Sequence, residues 1–408
     1  MKNPTFKIAA AAMMVAGAFA TQANAAGFQL SEQSSIQMGR AMAGAGVVGD
    51  DLSAVHYNPA GMTLLSGTRV QATGTWVAVN LDYESNDGKV KENGRLKGQM
   101  IPAGFITHQI SDSLWAGLGL TVPYGMGTEF SDDWAGQDRG TDSMILTFDI
   151  NPNLAWKVND MLSVGGGISL QYAKAELGFG MPFNSTMAHA DVKGDSWAWG
   201  WNVGLMIQPV DTVRIGLAYR SHIAHNADGH TDISTDQFAL RSDMKVRIKT
   251  PDTITLSATW EATDALRLSG TARWSKWSNF KSLSLEHDDF AMLPGTAANP
   301  TIENNWDDTW FFSLGADYKL NSQWTVRGGV AYDQGPVENQ YRMAVIPDTD
   351  RVWFSGGASY KYTDNLTFDF GATYIKGVGD KELHSAGAPG EFETLDSYIF
   401  SAQMQYLF

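Results

Sequence analysis

From residue 68 to its C-terminus the chain is written in period two. In the last twelve residues Tyr398, Phe400, Ala402, Met404, Tyr406 and Phe408 fall on one face, and Ser397, Ser401, Gln403 and Gln405 on the other. Residues 212–220 repeat the pattern, with Val213, Ile215, Leu217 and Tyr219 opposed by Thr212, Arg214, Gly216, Ala218 and Arg220. Successive side chains of a strand point to opposite faces, so each such segment is a strand with one apolar face. No run of about 18 uninterrupted apolar residues follows residue 25, which excludes a bundle of membrane helices. Two arginines and a glycine on the second face of 212–220 suit a wet or plugged lumen better than the dry core of a sandwich.

The alternating segments number fourteen: 68–84, 97–110, 113–130, 143–158, 161–180, 195–209, 212–226, 241–262, 265–282, 306–320, 323–334, 350–363, 365–379 and 392–408. Their connections also alternate in length. Six are tight (Ser111-Asp112, Asn159-Asp160, Val210-Asp211, Thr263-Asp264, Asn321-Ser322 and Thr363-Asp364), and the others, such as 85–96, 131–142, 181–194, 227–240, 283–305, 335–349 and 380–391, are long and polar. Short turns at one end and long loops at the other predict an all-β fold: a 14-stranded antiparallel transmembrane β-barrel with its turns in the periplasm. Trp115, Trp156, Trp260 and Trp324 lie close to the turns, where an interfacial girdle is expected. The competing reading, a large soluble all-β protein, would have to pack these long apolar faces against something else.

Two segments precede the strands. In residues 1–25, Lys2 and Lys7 form a basic start, Ile8 to Ala20 is an apolar run too short to span a bilayer, and Ala23-Asn24-Ala25 meets the small-residue cleavage rule. The expectation is a signal peptide cleaved after Ala25, and thus an outer-membrane protein of a Gram-negative bacterium. An even strand number puts both barrel ends in the periplasm, so residues 26–67 belong there or inside the lumen. This segment is rich in small residues (Ala41, Ala43, Gly44, Ala45, Gly46, Gly49) and carries helix starts: Ser31 for a helix through Arg40, Asp50 or Asp51 for a second, and Asn58 before Pro59 for a third. It is expected to be a compact hatch of helical pieces, with residues 68–408 as the barrel. The chain has no cysteine, which excludes disulfides and thiol nucleophiles, and its net charge of -15 from 29 basic and 44 acidic residues, with no clustered Lys/Arg surface, disfavours a nucleic-acid partner.

Ala26-Gly27-Phe28-Gln29-Leu30-Ser31-Glu32-Gln33, Gly39-Arg40-Ala41-Met42-Ala43-Gly44, Asp50-Asp51 and Asn58-Pro59-Ala60 resemble the N-terminal hatch of the FadL-type outer-membrane long-chain fatty acid transport family. Downstream, Tyr124 to Phe130, Trp199 to Gly204, Tyr219-Arg220-Ser221, Trp274 to Ser278 and Ile346 to Arg351 look like that family's signatures in order. The resemblance implies a fourteen-stranded barrel plugged by the hatch, and uptake of long hydrophobic molecules by diffusion without a cofactor. Phe28 and the Asn58, Pro59, Ala60 motif are then the gating candidates. Pro123 cannot donate to a β ladder and Gly125 permits a kink, and the resemblance implies that Val122, Pro123, Tyr124 and Gly125 break the third strand to open a lateral gap. It also offers Lys174 as a head-group ligand, although strict alternation puts Lys174 in phase with Ile168, Leu170 and Tyr172 on the lipid face. The family's second cation is replaced near Asp307.

Burying one methylene stabilises by about 0.8 kcal/mol, so a sixteen-carbon chain forfeits on the order of 10 kcal/mol in a water-filled pore. A greasy path with weak sites in series is needed. Three functions are carried forward: a channel for long-chain fatty acids, the same machine for aromatic hydrocarbons, and an outer-membrane lipid hydrolase. The last rests on Gly194-Asp195-Ser196, for which the sequence identifies no histidine partner, so no catalytic residue is assigned. The eight histidines (56, 108, 189, 222, 225, 230, 287 and 384) form no metal motif, and no metal site is assigned. The partners expected are a hydrophobic small molecule, outer-membrane lipid and lipopolysaccharide, and the barrel-assembly machinery, with the protein itself a monomer.

Overall fold

The structure, a computed structural model, describes residues 27–94, 99–131, 133–183, 186–237, 239–287 and 301–408. The expected signal peptide, residues 1–25, lies outside the described residues. Among the described residues fourteen wall strands form a closed antiparallel barrel: β1 (Thr68–Ser85), β2 (Gln99–Gln109), β3 in two pieces (Leu114–Thr121 and Gly125–Glu129), β4 (Asp142–Lys157), β5 (Leu162–Phe183), β6 (Thr186–Val210), β7 (Val213–Arg220 and Ala224–Ser234), β8 (Ala239–Lys249 and Thr253–Glu261), β9 (Leu266–Ser275 and Ser282–His287), β10 (Thr309–Lys319), β11 (Trp324–Asp333), β12 (Arg351–Lys361), β13 (Leu366–Gly377) and β14 (Gly390–Leu407). Each pairs with the next, and β14 returns to β1 from Arg69↔Leu407 to Ser85↔Gly390. Closure leaves no sheet edge to present unpaired backbone to lipid.

The alternation predicts which face is which. Tyr398, Phe400 and Met404 stand on the outside, while Ser397, Ser401 and Gln403 are buried in the lumen. All six tight connections are the short turns of one end. Two of the expected loops are instead strand: β5 and β6 pair as far as Phe183↔Thr186, and β7 and β8 as far as Ser234↔Ala239. Residues 181–194 and 227–240 look like loops because both of their faces are polar. Beyond the bilayer a ladder has water on its outer face and needs no apolar side. Trp156, Trp260 and Trp324 are exposed as a girdle requires, but Trp115 is buried and points inward, donating its indole N–H to the Leu65 carbonyl at 2.8 Å. Proximity to a turn does not fix the face; strand phase does.

The N-terminal segment lies inside the barrel. It contains α1 (Ser35–Gly39), α2 (Ala54–Tyr57) and a 3-10 helix, Pro59–Leu64. The cap of α1 is Ser34, whose hydroxyl accepts from the Gln37 N–H at 3.3 Å; Ser31, the sequence candidate, is spent elsewhere. Asp51 receives the Ser53 N–H at 2.9 Å just before α2. Wall glycines let the segment approach. A Cβ on Gly329 would lie 2.4 Å from the Arg40 carbonyl oxygen, and one on Gly204 would lie 2.0 Å from Asn58 Oδ1. Arg40, fully buried, holds Asp50 with both terminal nitrogens (2.6 and 3.1 Å) and reaches Asp317 of β10 at 3.2 Å. Asp317 in turn receives Arg327 Nε at 3.0 Å. A buried charge needs such partners, and here they bolt the segment to the wall.

Candidate functional site in the lumen

The third strand is interrupted where its sequence suggests. Pairing of β3 with β2 ends at Gly104↔Leu120, and the upper piece of β3 pairs only with β4, from Gly125↔Leu146 to Glu129↔Asp142. The vacant side is taken by the N-terminal segment. Leu30 donates its N–H to the Pro123 carbonyl at 2.8 Å, Gly125 donates to the Phe28 carbonyl at 2.9 Å, and Gln29 bridges to Tyr124. The Gln33 side chain completes the pairing: its amide donates to the Val122 carbonyl at 2.8 Å and its oxygen accepts the Val122 N–H at 3.3 Å. Residues 28–33 thus stand in for the missing ladder partner, a role the spacing of the sequence did not reveal.

Phe28 is buried in an aromatic box. Its ring meets Trp277 edge-on at 4.9 Å, Phe280 at 5.5 Å, Tyr124 at 5.9 Å and Trp306 at 5.7 Å. These residues belong to a larger buried apolar cluster that includes Met126, Phe130, Trp134, Val345 and Phe392. The residue just before Phe28 anchors the box, the Gly27 N–H meeting Asp348 at 2.7 Å. Burial pushes the Asp348 carboxyl up to about 6, against the opposing pull of Arg351.

Asn58 caps the 3-10 helix, its Oδ1 accepting the Ala60 N–H at 3.1 Å, and its Nδ2 donates to the Leu205 carbonyl of β6 at 3.2 Å. Pro59 occupies the first helical position. The lumen arginines foreseen in 212–220 hold the same segment: Arg214 donates to the Val48 carbonyl at 2.6 Å, and Arg220 to the His56 carbonyl at 2.9 Å. Arg273 of β9, not singled out in the sequence, donates to Ser31 Oγ at 3.0 Å and lies 4.8 Å over the Phe311 ring.

Lys174 is on the outer face. The β5–β6 ladder runs without a slip through Lys174↔Asp195, and the lysine pairs with Glu176 at 2.7 Å, in phase with Tyr172. Of the two positions left open by the sequence, this is the one strict alternation gives. Ser196 does find a histidine: its hydroxyl is 2.9 Å from His225 Nδ1. The partners are 29 residues apart on neighbouring strands, which no local motif reveals. The other ring nitrogen faces the Gln171 amide oxygen at 3.0 Å, so no carboxylate stands behind the imidazole. Asp142, His189 and Asp191 bring one ligand atom each within 4.8 Å of one another on the outer face of the upper wall.

The chain is similar to known proteins over nearly its whole length. The family described as outer membrane protein transport protein (OMPP1/FadL/TodX) matches residues 16–408. Outer membrane protein P1 of Haemophilus influenzae is 29% identical over 439 residues, covering 95% of this chain and 94% of that protein. The long-chain fatty acid transport protein of Escherichia coli O6:H1 is 27% identical over 455 residues, covering both chains in full. Among solved structures, a Pseudomonas aeruginosa FadL homologue superposes with a TM-score of 0.84 at 26% identity, over 93% of this chain and 99% of that one.

Proposed function

The chain belongs to the outer membrane protein transport family (OMPP1/FadL/TodX), and from that premise we propose that it is an outer-membrane channel through which long-chain fatty acids or similar hydrophobic molecules diffuse inward past a hatch formed by residues 26–67. The ligand displaces Phe28 from its box, and with it the backbone pairing that fills the interruption of β3, so that the chain leaves sideways through the wall. The observation that carries this reading is the pairing itself: one short segment occupies both the aromatic box and the strand gap. Moving it opens both.

The periplasmic mouth argues for the same route. A cavity of about 410 Å³ there is lined by Asp50, Arg267, Asp317, Arg327, Lys361 and Asp369 among others. An acyl chain crossing it would have to be wetted beside paired charges, at roughly 0.8 kcal/mol per methylene. The Escherichia coli relative is a transport protein by name, and the Ser196–His225 pair lacks a carboxylate, so the hydrolase reading has no support of its own.

The variant Phe28→Cys tests the mechanism, since the chain has no cysteine of its own. The introduced thiol should resist a membrane-impermeant reagent until oleate is added and then label several times faster. Equal labelling with and without ligand would sink the hatch. Direct binding of oleate against an alkylbenzene in detergent decides which hydrophobic class the site prefers.

A further inference from the structure

The wall carries a second interruption, between β6 and β7. These strands are paired from Val210↔Val213 to Asn202↔Arg220, and again from Asp195↔Asp228 to His189↔Ser234, with the register slipped by one residue between the two stretches. Among the described residues, 196–200 of β6 and 222–227 of β7 form no ladder pair with each other, although the former stay paired to β5 and 224–227 to β8. The lower edge of this interval is tied by Ser221, whose N–H donates to the Trp201 carbonyl at 2.9 Å and whose Oγ accepts the Trp201 N–H at 2.9 Å. The next two strands break at the same height, β8 over residues 250–252 and β9 over 276–281, so the interval is part of a level at which this side of the barrel is re-phased.

Side chains close it. His225 reaches from β7 beneath β6, touching Ser196 at 2.9 Å and Gln171 of β5 at 3.0 Å. The inward face of β6 is otherwise small here, Ala198 and Gly200, and a Cβ on Gly200 would lie 2.7 Å from Ile223. On the outside Trp197 and Trp199 are 56% and 69% exposed, which places the interval in the lipid-facing aromatic band. Just below lies a cavity of about 50 Å³. It is lined on one side by Asn202, Tyr219 and Arg220, and on the other by Gln29, Leu30 and Ser31 of the segment that fills the β3 gap.

The geometry points to a second lateral opening, between β6 and β7, that admits a slender apolar molecule from the outer leaflet into the cavity behind the N-terminal segment. The inference rests on the transport reading above and adds an entrance to its exit. Parting any fully laddered strand pair in a membrane means leaving several backbone groups unpaired in an apolar medium. Parting β6 from β7 here breaks the two hydrogen bonds of the His225 ring, to Ser196 and to Gln171, and displaces no large side chain from β6. A molecule arriving in the cavity then presses on Gln29, Leu30 and Ser31, the residues whose displacement opens the far gap.

The double variant Ser196→Cys, His225→Cys can be bridged by a short, reducible bifunctional thiol reagent, with each single variant as the control for the chemistry. Folded barrel is measured by heat-modifiable gel mobility, and oleate uptake in a host lacking its own channel. We expect the bridged protein to take up oleate at least fivefold more slowly than the unbridged one, and reduction to restore the rate. Unchanged uptake on bridging overturns the second opening. If the wild-type protein, assayed alongside, does not take up oleate at all, it is the transport reading that falls.

Discussion

Phe28 concentrates the hatch mechanism in one side chain. Four aromatic rings surround it, and full burial of a phenylalanine stabilises by roughly 1.5 to 3 kcal/mol, enough to hold a short segment closed and little enough for an acyl chain to displace it. Phe28→Ala removes the side chain the ligand has to displace and should therefore raise oleate affinity about tenfold without reducing the amount of folded barrel, as read by ligand binding and gel mobility. Glu32 adds a pH dependence. Burial pushes its carboxyl up to about 7, with Asp333 adding to the rise and Arg351 and Arg273 opposing it. A group bound more tightly to its proton when docked stabilises docking fully below its ordinary value of 4.5, and that stability is lost as pH rises through about 7. Asp51, raised to about 6 by burial and by Asp50, has the same sign and is spent earlier. His56 is pushed well below 6.5 by burial and by Arg220 and Arg273, so it opposes only below that pH. Normalised to the labelling rate of the same thiol in unfolded protein, which removes the ionisation of the thiol itself, the Phe28→Cys reporter should label progressively faster as pH rises from about 4.5 to 7, and Glu32→Gln should flatten that part of the profile. A slope that survives in the Gln variant would assign the effect to another group.

At the scale of elements, two strands and a loop segment decide the route. Replacing Val122-Pro123-Tyr124-Gly125 by an alternating Thr/Val run restores the donors and the period that Pro123 and Gly125 remove. Such a variant should pair β3 to β2 throughout and exclude the N-terminal segment. Oleate uptake should fall to background while the barrel still folds; wild-type uptake would remove the lateral exit. On the opposite wall, Gly204→Val puts a side chain where Asn58 Oδ1 would lie only 2.0 Å from the new Cβ. The wall strand tolerates valine well, so the damage should fall on the hatch. Limited proteolysis should cut residues 27–67 at least several times faster than in the wild type, with gel mobility of the barrel unchanged.

For the whole molecule the decisive event is closure. The Phe408 N–H donates to the Thr68 carbonyl at 2.9 Å, and Leu407 donates to Asn365 at 2.9 Å, so the last residues fasten β14 to both of its neighbours at the periplasmic rim. The Phe408 ring is half exposed toward the lipid side, edge-on to Tyr406 at 4.9 Å. Deleting Phe408 should lower the assembled fraction in the outer membrane severalfold, measured by heat-modifiable mobility of membrane fractions. Full assembly of the truncated chain would show that closure does not depend on the terminal aromatic residue.

The barrel was legible in the sequence because each strand reports its own faces: period two, an even count and alternating connection lengths are local properties that closure merely collects. The lumen arginines of 212–220, the capping Asn58 and the proline break in β3 were legible for the same reason. What the sequence could not contain is which lumen residue meets which. Gln33 and Val122 are 89 positions apart, Ser31 and Arg273 are 242 apart, and Gly27 and Asp348 are 321 apart. None of these pairs has a periodicity to announce it. The same holds for the strand extensions at 181–194 and 227–240, for inward-facing Trp115, and for the His225 partner of Ser196. Each depends on the phase and height of a neighbouring strand, quantities that exist only once the sheet has closed and the N-terminal segment has been packed into the space it encloses.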